Sequence, residues 1–161
     1  MIWLIVGLFL LVCFGGVLLF GAPYLPTLGK QIETALSLAK LEPGDTLLEL
    51  GCGDGKVVLA AARQGIKVVG YELNPILSVI AWLRTRRYRH NVRIIWGDFW
   101  PKELPQAQAI FVFLLPKYMK KLDTKVIQYK HKPVKLISFA FQIPGRKPDH
   151  AKNGLYLYRY H

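Results

Sequence analysis

Residues 46–74, TLLELGCGDGKVVLAAARQGIKVVGYELN, constrain the fold more than any other part of the chain. Thr46 to Leu50 is a short apolar run between the turn residues Pro43, Gly44 and Asp45 and the glycines Gly51, Gly53 and Gly55. That is the pattern of a strand buried on both faces of a parallel sheet. Lys56 to Gln64 is rich in Ala and Val, and Gly65 follows where a helix would be C-capped. Lys67 to Tyr71 reads as a second buried strand that ends at Glu72. Strand, glycine turn, helix, strand and acidic turn, in that order, make the first half of a nucleotide-binding βαβ unit.

The chemistry of the turn narrows the ligand. Side chains at Gly51 or Gly53 would fill the space in which a ribose and its tail must lie. Glu72 stands about 20 residues beyond the glycines, where a carboxylate can take both hydroxyls of an adenosine ribose. Asp54 inside the turn and Glu49 just before it would repel a pyrophosphate and suit a ligand with a positive centre. Lys56 also occupies the place of the third glycine of a dinucleotide-type GxGxxG. ELGCGDG followed by YELNP resembles motif I and the next acidic motif of the class I, seven-strand methyltransferases that use S-adenosyl-L-methionine.

At 161 residues the chain holds one domain and a short additional element. Ile2 to Phe20 is nineteen residues without a charge, and the first charged side chain of the protein is Lys30. A helix rising about 1.5 Å per residue would cross a hydrocarbon core of roughly 30 Å with that length. A signal peptide would need a basic leader and a shorter apolar core; nothing basic precedes this run, although Gly21, Ala22 and Pro23 resemble a cleavage end. All 22 basic and 10 acidic residues lie beyond it, so the net charge of +12 belongs to the rest of the chain. The positive-inside tendency places that part on the cytoplasmic, or matrix-equivalent, side of a single-pass anchor. Cys13 and Cys52 form no disulfide framework, and four scattered histidines, His90, His131, His150 and His161, define no metal site.

The expected organisation is a transmembrane helix over residues 1–21, a proline linker and helix over 22–41, and a catalytic domain over 42–161. Thr27 can cap a helix from Leu28 to Leu41 with Ile32, Leu36 and Ala39 on one face. Pro75 to Arg89 reads as the next helix, with Ile76, Leu77, Ile80 and Leu83 inward and Arg84, Arg86, Arg87 and Arg89 at its end. Those bases complement the helix dipole on a solvated face, or meet anionic lipid headgroups; nucleic acid is a third reading. Strands follow at Val92 to Trp96, Ala109 to Leu115, Val134 to Phe141 and Leu155 to Tyr160, with a helix from Tyr118 to Ile127. No helix fits after the fifth strand, so a Rossmann-like α/β sheet trimmed to about six strands and ending in a long hairpin is expected.

Taken together, GAPYLPT after an apolar span, LLELGCGDGKVVLAAARQG, VVGYELNP, GDFW and FVFLLPKYM resemble the small membrane-anchored protein-lysine methyltransferases related to those that modify the ATP synthase c subunit and the adenine nucleotide translocase. The resemblance implies methylation of a lysine ε-amine in a membrane protein close to the bilayer. It also implies cofactor contacts from Glu49, Gly51, Gly53, Asp54, Gly55, Glu72, Asn74 and Asp98, the last toward the adenine amino group. Phe99 or Trp100 can flank the adenine or pack. The chain departs from enzymes with an Asp/Asn-Pro-Pro-Tyr motif: Leu115, Pro116, Lys117 and Tyr118 offer no carboxylate or amide, and the general base stays unassigned. Tyr118 and Tyr24 are candidates to line the approach of the lysine. An RNA methyltransferase, or a non-catalytic membrane protein with a vestigial cofactor site, are the alternatives.

Overall fold

The computed structural model describes residues 2–4, 7 and 29–161. Beyond the helical residues 2–4 and 7, the expected span, Cys13 and the linker with Tyr24 and Thr27 lie outside the described residues. Among the described residues no helix is long and apolar enough to cross a membrane.

The chain from residue 29 onward alternates helix and strand: α1 (Gly29–Ala39), β1 (Thr46–Leu50), α2 (Lys56–Arg63), β2 (Lys67–Glu72), α3 (Pro75–Thr85), β3 (Val92–Trp96), β4 (Ala109–Val112), α4 (Pro116–Ile127), β5 (Val134–Phe139), β6 (His150–Lys152) and β7 (Leu155–Tyr160). A 3-10 turn, Arg86–Tyr88, extends α3. The strands form one seven-stranded sheet in the order β3-β2-β1-β4-β5-β7-β6. β1 to β5 are parallel, and β7 runs antiparallel between β5 and β6. The order reverses direction between β1 and β4, and open α/β sheets bind ligands beyond the carboxyl ends of the strands at such a point.

Strand alternation sorts the core into two layers. Leu47, Val68, Ala109, Phe111 and Ile137 meet α1 and α2 through Ile32, Leu36, Val57, Val58 and Ala61. Leu48, Leu50, Ile110, Val112 and Leu136 face the opposite way onto Met119, Leu122 and Val126 of α4. Side chains so buried contribute about 2 kcal/mol each.

The sheet has seven strands where about six are expected, because His150, Ala151 and Lys152 pair with Leu157, Tyr156 and Leu155. That strand is short, polar and exposed, so no apolar period announces it. The absence of a helix after β5 is as expected.

The inward face of α3 also differs from expectation. Its buried residues are Leu77, Ser78, Ala81 and Thr85, whereas Ile80 and Leu83 face outward. Small residues face in because α3 lies hard against the glycine turn: a Cβ on Gly55 would stand 3.0 Å from both Cα and Cβ of Ala81. Gly55 also holds φ at 78°, a left-handed backbone unfavourable to L side chains. Gly55→Ala is therefore expected to lower unfolding free energy by about 3 kcal/mol, measured by urea denaturation, as strain and overpacking add.

Candidate active site

The glycine turn is anchored to the end of β2. The amides of Gly51 and Cys52 both donate to the Tyr71 carbonyl, at 2.9 and 2.8 Å, and the Gly55 amide donates to the Cys52 carbonyl at 2.9 Å. This places the Gly53 amide 2.7 Å from Glu72 Oε2, while Oε1 accepts the Asn74 amide at 2.8 Å. Glu72 is only 7% exposed. Each carboxylate oxygen has a second lone-pair direction, so the group can accept two further hydroxyls. Burial raises its pKa, against the opposing effect of the backbone amides of Asn74, Gly53 and Leu73.

Three carboxylates crowd this turn, and they have different partners. Asp54 is ion-paired with Arg84 of α3, and Lys56 Nζ lies 3.5 Å from the same oxygen. Glu49, at 3% exposure on β1, leaves Oε2 buried without a hydrogen-bond partner. Burial, then the charges of Glu72 and Asp54, push its carboxyl well above the ordinary value of 4.5, although the Val58 amide favours the charged form. Burial and the charges of Glu49 and Glu72 push the Cys52 thiol up as well, so it stays protonated and is no nucleophile.

Beside these carboxylates is open space. A Cβ placed on Gly51 would meet no heavy atom within 4 Å, and the residue holds φ at 88°. The turn thus offers a cradle bordered by two buried acids that form no ion pair among the described residues. A cationic ligand with a vicinal diol, whose hydroxyls donate, matches those carboxylate acceptors.

The other expected residues fall around the same edge. Asn74 caps α3, its Oδ1 accepting the amides of Ile76 at 2.9 Å and Leu77 at 3.2 Å. Trp96 is paired with Glu72, and the Gly97 amide donates to the Glu72 carbonyl at 2.8 Å. Asp98 therefore sits next to the end of β2; it is exposed, and its Oδ1 accepts the Trp100 amide at 2.9 Å. Phe99 is buried against Trp100, ring centroids 4.6 Å apart, and Tyr118 at the start of α4 lies 6.0 Å from Trp100.

Two groups go beyond the sequence expectations. Leu73, the exposed residue after Glu72, carries the Trp96 indole, whose Nε1 donates to the Leu73 carbonyl at 3.1 Å. An apolar residue inside an otherwise polar turn is the available signal. Phe113 lies beyond β4, 4.8 Å from Phe139 and 6.4 Å from Phe141, centroid to centroid, at the end of β5. No spacing in the sequence marks that cluster, because adjacent parallel strands assemble it. Among the described residues no group of His, Cys, Asp and Glu can hold a metal ion.

A seven-stranded Rossmann-like sheet with an acidic, glycine-lined edge is the architecture of methyltransferases, and comparison with known proteins agrees. The solved structure of an RNA methyltransferase from Salinibacter ruber, in complex with S-adenosyl-L-homocysteine, superposes with a TM-score of 0.76 at 27% identity, covering 84% of this chain and 92% of that one. The chain belongs to the family described as the ANTKMT methyltransferase domain, whose model matches residues 49–150. It is 33% identical over 132 residues to the Homo sapiens lysine N-methyltransferase of the ATP synthase c subunit, covering 80% of this chain and 55% of that protein. The adenine nucleotide translocase lysine N-methyltransferase of Mus musculus is 33% identical over 129 residues, 78% of this chain and 56% of that protein. The chain thus spans little more than half the length of these two relatives.

The raised pKa of Glu49 sets a pH dependence. A carboxyl that holds its proton more tightly folded than unfolded contributes stability below 4.5 and loses it as pH rises through the folded value. Stability of the ligand-free protein should therefore fall as pH increases above about 4.5, and Glu72 contributes in the same direction. Glu49→Gln is expected to flatten that fall and to raise unfolding free energy at alkaline pH by about 1–3 kcal/mol, measured by urea titration across the range.

Proposed function

We propose that this chain is an S-adenosyl-L-methionine-dependent protein-lysine N-methyltransferase acting on a membrane protein near the bilayer, with its N-terminal apolar run as the anchor. The observation that carries the reading is the pair of buried acids, Glu49 and Glu72, which form no ion pair among the described residues, beside the open space at Gly51. Glu72 would take the ribose hydroxyls, and Glu49 would face the positive charge of the cofactor. When bound, the cofactor supplies an electrophilic methyl group. The relatives named for lysine methylation of the ATP synthase c subunit and of the adenine nucleotide translocase support a lysine acceptor.

The protein's own part is to orient an amine and to keep it neutral. Phe113, Phe139 and Phe141 offer an aromatic lining for an alkyl chain at the carboxyl ends of β4 and β5. Desolvation there lowers the pKa of an ammonium, which gives its proton to water on entering and so presents a free lone pair without a carboxylate base. Alignment of the two reactants then supplies most of the acceleration. Anchoring would confine the domain to the surface from which such a substrate is reached.

Glu72→Ala is expected to weaken cofactor binding by about tenfold or more in calorimetry, because charge-assisted contacts to two hydroxyls are lost. Phe113→Ala should lower kcat/KM for methyl transfer by about tenfold while cofactor affinity holds. The deciding experiment incubates the full chain with methyl-labelled S-adenosyl-L-methionine and membranes. Label recovered as methyl-lysine in a membrane protein supports the reading; label in nuclease-sensitive material assigns the chain to RNA.

A further inference from the structure

The outward face of α3 is apolar, the reverse of what a solvated helix presents. Val79 is 56% exposed, Trp82 58%, Leu83 47% and Ile80 38%, and nothing among the described residues covers them. The small residues Ser78, Ala81 and Thr85 take the inner side, so this face is a consequence of how α3 packs. Trp96, 67% exposed at the end of β3, adds a second indole.

The charge around this face is mostly positive, with Asp54 paired to Arg84 and Asp98 exposed just beyond Trp96. From Gly55 to Gly97 the only acid is the buried Glu72, against eight Lys and Arg. Arg86 and Arg87 are exposed on the 3-10 turn that continues the apolar stripe. Arg89 and Arg93 carry the basic rim on to an open cavity of about 310 Å3, which Lys67 and His90 also line. No acidic side chain lines that cavity.

We propose that α3 is a second membrane contact: its Val79, Ile80, Trp82 and Leu83 face enters the headgroup boundary of an anionic bilayer, with Arg86, Arg87 and Arg89 on lipid phosphates. Amphipathic helices that lie in the interface combine an apolar face, tryptophan and flanking bases in this way. A second copy of the chain is a poor occupant, since pairing two such faces would set arginine against arginine. Nucleic acid would use the bases but would leave four apolar side chains without a role. The surface does not depend on methyl transfer, and it stands apart from the apolar N-terminal run.

The test reads α3 locally in the full chain, so that anchoring by the N-terminal run cannot mimic it. In a Cys13→Ser background, with Cys52 buried, Leu83→Cys carries an environment-sensitive fluorophore; Ile127→Cys, exposed at the end of α4 on the other sheet face, is the control. The protein is placed in phosphatidylcholine vesicles with or without phosphatidylglycerol. Quenching of the Leu83 probe by spin-labelled lipid, dependent on phosphatidylglycerol and weakened by salt, with the Ile127 probe unquenched, is the expected result. Arg86→Ala with Arg87→Ala should reduce the equilibrium constant of this contact roughly thirtyfold. A Leu83 probe that stays aqueous on vesicles that bind the protein overturns the proposal. So does a probe already shielded without vesicles, which would mean coverage by the protein itself, or one shielded only by added oligonucleotide.

Discussion

The carboxylate of Glu72 is the interaction on which the site depends. One oxygen holds the Gly53 amide of the turn after β1, and the other holds the Asn74 amide at the start of α3. A single buried side chain therefore fixes two loops that are far apart in sequence, and does so with charge-assisted bonds in a dry setting. Arg84 and Asp54 add a tie between the same two elements from the other end of the turn. With the turn clasped to α3 twice, the space at Gly51 keeps its shape without a ligand. Such preorganisation limits the cost of ordering on binding.

Much of this is legible in the sequence, for identifiable reasons. β1, β2, β3 and β7 are compact apolar runs bounded by turn residues, and they fall where the pattern places them. Glu49, the glycines and Glu72 are recognisable because the chemistry demands those residue types at that spacing. The core face of α3 is not legible, because hydropathy puts positions 80 and 83 inward. The helix is instead held by Ser78, Ala81 and Thr85, whose small size lets the glycine turn approach, and hydropathy is blind to that. The pairing of Asp54 with Arg84, thirty positions on, is revealed only by the fold. Glu49 and Glu72 are the two acids at the turn that form no ion pair among the described residues. β4 and β5 end earlier than their apolar runs, and the phenylalanines at and beyond their ends, Phe113, Phe139 and Phe141, form a cluster of their own.

Charge is partitioned across the molecule. A chain of net charge +12 buries two acids that form no ion pair among the described residues, Glu49 and Glu72, while every other charged residue from Gly55 to Gly97 is basic. α3 joins the two regimes: its amino end, capped by Asn74, borders the acidic cradle, and its carboxyl end runs into the arginines. Buried charge attracts a cation at close range, while the exposed bases act across a distance limited by the Debye length.

The seating of α1 bears on how the domain responds to tension. The helix rests mainly on β5 and β7, with Leu47 of β1 in the same core layer. Lys135 Nζ of β5 holds the Ala39 and Lys40 carbonyls at 2.6 and 3.3 Å, and Asn153 of the β6–β7 turn reaches Thr34 Oγ1 at 3.4 Å. Force applied at residue 29 therefore passes into the C-terminal half of the sheet, two strands away from the glycine turn. A pull on this helix would be borne first by β5, β7 and the adjoining α2, and only through them by the geometry around Glu72.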